Sequence, residues 1–126
     1  MALAQNEIDG FWFFDFDGAQ YIEFKNVTIN ANTIDRPVWL HNATHHITFD
    51  NCNIMGNATS TSALSCVIAA TATSTSVSSV GDNANDITVS NCLLSGGYYG
   101  FSAYGTSTSV YSSNFTLTNN EFVDQY

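Results

Sequence analysis

Apolar and polar residues alternate in four segments of the chain that share one pattern. Each segment begins apolar, polar, apolar, polar, Asn, and it ends with an apolar residue at the eighth position. The sixth position is small or apolar in three of the four segments, and the seventh is variable. The four segments are Ile22–Ile29, Ile47–Ile54, Ile87–Leu94 and Phe115–Phe122. Alternation with a period of two is typical of a β-strand that turns one face to the core. The pattern therefore predicts four repeats built from short strands.

An asparagine occupies the fifth position of every repeat, and the alternation slips by one residue at that position. The four asparagines are Asn26, Asn51, Asn91 and Asn119. The chain must bend there if the apolar residues on both sides are to face one core, and Asn tolerates the left-handed backbone of such a bend. Because stacked strands lie about 4.8 Å apart, we expect the four side chains to form a hydrogen-bonded ladder at one corner.

A further apolar stretch precedes each repeat and supplies a third strand. We take as markers of these stretches Trp12, Val38, Val67 and Phe101. Three short strands per turn of the chain, in about four such coils, predict an all-β fold, a right-handed parallel β-helix. An antiparallel sandwich could use similar strands, but it gives no reason for an Asn in register in every repeat.

The repeats set the expected organisation of the chain. We assign residues 11–126 to the β-helix, as part of a longer one, and residues 1–10 to an N-terminal extension or an expression remnant. The spacing between repeats varies, which places the extra residues in loops. The largest of these are Ala70–Asn85, rich in Ser and Thr, and Gly105–Ser113.

The charge balance limits the partners of the chain. Two basic residues, Lys25 and Arg36, stand against eleven acidic ones in 126 residues, for a formal charge of −9. A nucleic-acid surface needs clustered Lys and Arg, and no apolar run reaches the length of a membrane span. We therefore predict neither nucleic-acid binding nor membrane insertion. A composition rich in Ser, Thr and Asn and poor in Lys favours a secreted or cell-surface protein.

Two cysteines occupy the position after the corner Asn in consecutive repeats. Cys52 and Cys92 therefore share one environment, and side chains that point the same way on neighbouring strands suit small buried thiols better than a disulfide. We expect both to be free and inert. Cys66 is not placed by the repeat, and the absence of a CxxC motif argues against zinc.

The segment Phe16–Ile29 resembles the opening coil of right-handed parallel β-helix regions in large secreted or surface proteins of bacteria, the pectate-lyase-like superfamily. The segments His46–Gly56 and Asp86–Gly96 resemble the coils that follow. The resemblance covers roughly residues 11–124 and implies the fold and an extracellular location. It leaves the activity open, because this architecture serves pectate lyases, polygalacturonase-like hydrolases, tailspikes and adhesins.

The candidate catalytic residues do not form a complete set. The resemblance to hydrolases implies close carboxylates and a histidine, and Asp15 and Asp17 lie one coil from His41, His45 and His46. Two carboxylates flanking a glycosidic bond are the minimum for hydrolysis, and no pair here is convincing. We predict no catalytic residues and no resident metal, with Ca²⁺ at Asp15 and Asp17 as an alternative.

Outward-facing aromatic residues favour a binding function. If Val38 and Leu40 point inward, Trp39 and His41 point outward, and Tyr98, Tyr99 and Tyr104 lie near the same face. Exposed aromatic rings on a flat sheet can stack on sugars, although a flanking loop could cover them instead.

We therefore predict a non-catalytic structural or adhesive segment that contacts glycans through these residues. The alternative is a fragment of a polysaccharide lyase or glycoside hydrolase. The expected partners are polysaccharide, neighbouring coils or another protein chain, and the open ends favour self-association.

Overall fold

A computed structural model describes residues 2–4, 12–105 and 112–126, and every regular element within them is a β-strand. The side chains of residues 2–4 and of Trp12 are not described. The strands are β1 Ala2–Ala4, β2 Trp12–Asp17, β3 Gln20–Lys25, β4 Thr28–Asn30, β5 Arg36–His41, β6 Thr44–Asp50, β7 Asn53–Met55, β8 Cys66–Ala70, β9 Ala84–Ser90, β10 Leu93–Ser95, β11 Tyr99–Ala103, β12 Ser113–Thr118 and β13 Glu121–Val123. Among these residues no helix is long and apolar enough to cross a membrane.

The strands form three parallel sheets that the chain visits in turn. Sheet I has the order β1-β4-β7-β10-β13, sheet II the order β2-β5-β8-β11, and sheet III the order β3-β6-β9-β12. Every pairing is parallel, and each strand pairs with the strand three positions along the chain. The all-β prediction is therefore confirmed, and three parallel sheets are consistent with a parallel β-helix. Strand β1 adds a fifth strand to sheet I, whereas residues 1 and 5–10 of the predicted extension lie outside the described part.

The alignment of the four repeats predicts the register of sheets I and III. The first apolar positions pair in the order Ile22, Ile47, Ile87 and Phe115. The last apolar positions pair in the order Ile29, Ile54, Leu94 and Phe122. The middle members of both rows are fully buried. Period-two alternation with one buried face is thus enough to fix the register of these two sheets.

The register of sheet II differs from the predicted one. The observed row runs Phe14, Val38, Ile68 and Phe101, so the markers Trp12 and Val67 were wrong. Strand β8 is buried over its whole length, because its outer face also packs, with Cys66 and Ala69 against Val77. A strand that is apolar on both faces gives no alternation from which to read its direction.

Aromatic rings fill the interior of the first two coils. Phe24 and Phe49 occupy equivalent positions of β3 and β6, and their rings stack 5.3 Å apart at 8°. Phe16 packs edge-on against both rings, at 6.0 and 6.2 Å. Aromatic pairs of this kind add about 0.5–1.5 kcal/mol beyond the area they bury, so this part of the core is well specified.

The corner asparagines all adopt the left-handed backbone, with φ between 53° and 55°. The side-chain amide of Asn51 donates to Oδ1 of Asn26 at 2.6 Å, and that of Asn119 donates to Oδ1 of Asn91 at 3.5 Å. Between them the predicted ladder is interrupted, because Asn91 donates instead to Oδ1 of Asp50 at 2.9 Å. The column therefore combines amide–amide steps with one amide–carboxylate step.

A second column of left-handed residues lies on sheet III, one residue before each repeat. It consists of Tyr21, His46, Asp86 and Asn114, with φ of 57°, 57°, 54° and 57°. Asn114 donates to Oδ1 of Asp86 at 2.8 Å, and the Tyr21 ring lies 4.6 Å from that of His46. The repeat did not predict this column, because its four residue types have nothing obvious in common. Each coil thus changes direction at two fixed left-handed positions.

All three cysteines are buried and free, with Cys52 and Cys92 placed as the repeat predicts. The thiol of Cys52 donates to the carbonyl of Phe24 at 3.4 Å, and Cys92 Sγ accepts from the Cys52 amide at 3.4 Å. In the last coil Asn120 takes the same place, and its Oδ1 accepts from the Cys92 amide at 2.9 Å. Side chains at this position therefore join the backbones of neighbouring coils.

The last coil leaves part of its apolar interior exposed. Leu117 and Phe122 sit in rows that are buried in the two coils before them, but both are exposed. Strands β11, β12 and β13 each form one edge of their sheet within the described residues. Apolar rows and unpaired edges favour the addition of another coil, so self-association stays a prediction. Residues 106–111 of the predicted Gly105–Ser113 loop lie outside the described part.

Candidate functional site

Sheet II brings Asp15, Asp17 and His41 together, because Asp17 of β2 pairs with His41 of β5. His41 Nε2 hydrogen-bonds to Oδ1 of Asp15 at 2.6 Å, and its Nδ1 lies 3.9 Å from Oδ1 of Asp17. The side chain of Asn42 donates to the same Asp17 oxygen at 2.8 Å. Three of the residues considered for catalysis thus meet at the carboxyl ends of two parallel strands.

The loop between β8 and β9, residues 71–83, covers the outer face of sheet II at Trp39. The indole Nε1 donates to the carbonyl of Thr71 at 2.7 Å, and the indole stacks on the His41 ring at 3.6 Å and 14°. Trp39 faces away from the core, but it is only 8% exposed. The loop therefore occupies the face of Trp39 that a sugar would need, and contact between Trp39 and a glycan stays a prediction. His41 is likewise mostly covered.

The same loop forms one wall of a pocket beside the His41 cluster, which we call the acidic pocket. Its volume is about 380 Å³. It is lined by Asp17, His41, Asn42, Ala72, Gly81, Asp82 and Asn83. The amide of Ala43 donates to the carbonyl of Asp82 at 2.6 Å and ties the loop to the end of β5. The pocket therefore carries carboxylate and amide side chains on a wall that is fixed to the sheet.

A group of three tyrosines lies at the opposite, amino end of the strands of sheet II, and we call it the tyrosine surface. The ring of Tyr98 lies 4.8 Å from that of Tyr99 and 5.5 Å from that of Tyr126. Tyr126 is 75% exposed and Tyr99 is 41% exposed. The amide of Tyr126 donates to the carbonyl of Gly97 at 3.1 Å, which holds the last ring beside the other two.

A second pocket, of about 450 Å³, adjoins the tyrosine surface and is rich in hydroxyl groups. It is lined by Ala58, Thr59, Ser60, Thr61, Asp124, Gln125 and Tyr126. Sequence reasoning identified Tyr98 and Tyr99 but missed Tyr126 and the segment 58–61. No local signal links them, because they belong to different coils and meet only after stacking. Tyr104, predicted with Tyr98 and Tyr99, is exposed but lies beyond the other end of β11.

The structure separates His45 and His46 from Asp15, Asp17 and His41. Their Nδ1 atoms lie 2.7 Å apart on sheet III, beside Tyr21, and His46 Nδ1 lies 3.7 Å from Asp86. Over the described ranges no group of three or more His, Cys, Asp or Glu could hold a metal ion. Ca²⁺ at Asp15 and Asp17 stays a prediction.

Both basic residues lie away from the two pockets. The ammonium of Lys25 pairs with Glu23 at 3.0 Å, and this hydrogen bond raises the pKa of Lys25. Arg36 is 3% exposed, and burial lowers the pKa of its guanidinium. Neither residue lines either pocket, so the charged side chains at both pockets are acidic, apart from the titratable His41.

No protein-family model matches the chain, and searches of curated proteins and of solved structures return no match.

Proposed function

We propose that the chain is a segment of right-handed parallel β-helix from a secreted or cell-surface protein, and that it binds polysaccharide without cleaving it. The three parallel sheets and the resemblance of Phe16–Ile29 to pectate-lyase-like coils support the architecture. Right-handed crossovers account for about 98% of parallel connections within a sheet, which supports the handedness. Stacked coils would form a rod with a repeated outer surface, and this supports a structural or adhesive role.

The tyrosine surface is the observation that carries the binding proposal. Three clustered rings offer apolar faces that can stack on the C–H face of a sugar, while their hydroxyls remain available for hydrogen bonds. The adjoining pocket adds hydroxyl and amide groups from Thr59, Ser60 and Gln125. An apolar platform beside a few convergent polar groups is the usual composition of a small-ligand site.

Retention on immobilised neutral polysaccharides tests the proposal, with Tyr126→Ala as the variant. Loss of one stacking ring, worth about 0.5–1.5 kcal/mol, should weaken binding by about twofold to tenfold. Tyr21→Ala is the matched control, because Tyr21 is 73% exposed but lies on sheet III. Equal loss in both variants, or no retention of the unaltered chain on any glycan, would reject a glycan-binding tyrosine surface.

A fragment of a polysaccharide hydrolase or lyase is the second candidate, and the bond between His41 and Asp15 favours it. A histidine held at 2.6 Å by a carboxylate, with Asp17 beside it, has the residue types of acid–base catalysis. Glycosidic cleavage that disappears in Asp15→Asn and Asp17→Asn would establish this function over the non-catalytic one. Binding without any release of reducing ends would exclude it for the glycans tested.

A further inference from the structure

The pocket beside the tyrosine surface, which we call the hydroxyl pocket, has two walls from different coils. Residues 58–61 form one wall, and residues 124–126 form the other. The Gly97 amide donates to the carbonyl of Asn57 at 2.9 Å, and the Gly97 carbonyl accepts from the Tyr126 amide at 3.1 Å. Gly97 therefore joins the two walls through the backbone. A pocket whose walls are fixed before a ligand arrives has a lower entropic cost of binding.

Three polar side chains of the hydroxyl pocket can offer a ligand only hydrogen-bond acceptors. The side-chain amide of Gln125 donates to two backbone carbonyls, both at 3.1 Å, so Oε1 is the atom that this side chain can still offer. The Thr59 hydroxyl donates to Oδ1 of Asn57 at 2.9 Å, so only its oxygen lone pairs remain. The carboxylate of Asp124 has no donor when it is ionised. The fixed polar groups of this pocket therefore call for a ligand that donates.

The charge of the hydroxyl pocket narrows the ligand further. Among the described residues that line it, Asp124 is the only one with a charged side chain, and neither Lys25 nor Arg36 lies there. The remaining polar groups are hydroxyls, which can donate or accept. Unsubstituted sugar hydroxyls supply donors, whereas carboxylates and sulfates bring further acceptors together with a negative charge that Asp124 repels. The pocket thus favours a neutral, hydroxyl-rich ligand.

We propose that the hydroxyl pocket selects glycans with free hydroxyls and without acidic groups, and that Asp124 accepts hydrogen bonds from two neighbouring sugar hydroxyls. The two oxygens of a carboxylate can accept from two donors at once, and hydrogen bonds to a charged acceptor are the strong ones. The volume of about 450 Å³ lies in the range of small-ligand sites. This selection rests on the glycan binding proposed above for the tyrosine surface, and it names the class of glycan.

Asp124→Asn is the variant that tests the selection. Asp124 holds a left-handed backbone with φ 55°, and Asn tolerates this conformation equally well, so the wall keeps its backbone. The variant loses the charged acceptor, and it also loses the repulsion of anionic sugars. Its affinity for a neutral polysaccharide should fall about threefold to tenfold, whereas its affinity for a polyuronate should stay equal or rise. A folding defect would lower both affinities, so opposite changes report on the pocket itself.

Affinity electrophoresis of the full chain measures these affinities in gels that contain a soluble glucan, mannan or galactan, each beside its O-methylated and C6-oxidised forms. The methylated form lacks hydroxyl donors, and the oxidised form carries uronic acids. We expect the unaltered chain to bind both at least about tenfold more weakly than the parent polymer. Glu121→Gln is the control, because it removes one charge from an exposed position of β13 outside the pocket. It should leave every affinity within about twofold.

Each other outcome decides against the selection. Equal affinity for the parent and methylated forms would overturn the need for donors, and tighter binding of the oxidised form would overturn the exclusion of acidic sugars. Equal effects of Glu121→Gln and Asp124→Asn would show a response to overall charge. Weaker binding in Tyr126→Ala with no change in Asp124→Asn would reject the selection and leave the tyrosine surface standing. No binding to any parent polymer would reject both.

Discussion

Replacement of Tyr21 by asparagine is expected to stabilise the fold, because Tyr21 holds a left-handed backbone with φ 57°. This conformation costs a non-glycine residue roughly 1–2 kcal/mol, and Asn is among the residues that tolerate it best. The ring of Tyr21 is 73% exposed, and its contact with His46 at 4.6 Å returns at most part of that cost. The net gain should be about 1 kcal/mol, or a rise of about 0.5 M in the urea midpoint.

Two further variants separate backbone strain from loss of the ring. Tyr21→Ala removes the ring but gains no tolerance of the left-handed backbone, so its midpoint should equal or fall below that of the unaltered chain. Asn114→Tyr places the bulky residue at the equivalent position of the last coil and breaks the bond to Asp86, so it should destabilise by about 1–2 kcal/mol. A midpoint for Tyr21→Asn at or below that of Tyr21→Ala would refute the strain argument.

Three other predictions concern the pH dependence, the core and the thiols. Hydrogen bonds from Asn91 and Ser90 lower the pKa of Asp50 below its usual 3.8. The stabilisation from these bonds is therefore present above pH 3.8 and is lost as the pH falls through the lower pKa of the folded chain. The urea midpoint of Asp50→Asn should change less on acidification than that of the unaltered chain. Ile54→Ala, at a fully buried position, should lower the free energy of unfolding by about 2–5 kcal/mol in urea titrations. A loss under about 1 kcal/mol would mean that the core collapses around the cavity left by the isoleucine side chain. Burial raises the pKa of Cys66 to about 12 and that of Cys92 to about 11. Alkylation of these two thiols should therefore proceed at the rate at which the chain unfolds. Rapid labelling of the native chain would contradict the buried placement of the two cysteines.

The part of the fold that the sequence predicted is the part with one buried face. Ile47 and Ile54 alternate with polar residues, so their register followed from the period alone. The register of sheet II could not be predicted in the same way, because its outer face also carries buried apolar residues. Cys66 and Ala69 pack there under a loop. That loop is rich in Ser and Thr and has no periodic pattern, so nothing local predicts that it folds over Trp39.

The candidate sites were predictable only where their residues lie close together in the sequence. Tyr98 and Tyr99 are adjacent and were identified, but Tyr126 joins them through a single backbone bond to Gly97. The pairing of Asp17 with Asn42 depends on stacking of successive coils, and Asp82 enters the acidic pocket from a third coil. Contacts between coils follow from register, and register in sheet II was the weakest part of the prediction.

The Asn corner restricts where the chain can vary in length. Two residues separate sheet III from sheet I in every coil, at positions 26–27, 51–52, 91–92 and 119–120. The other two corners differ from coil to coil, and their longest described connections are residues 56–65 and 71–83. These two connections border the tyrosine surface and the acidic pocket. The corner between sheets III and I thus keeps a constant length, whereas the other two corners accept insertions. New loops can therefore be introduced at those two corners without shifting any strand.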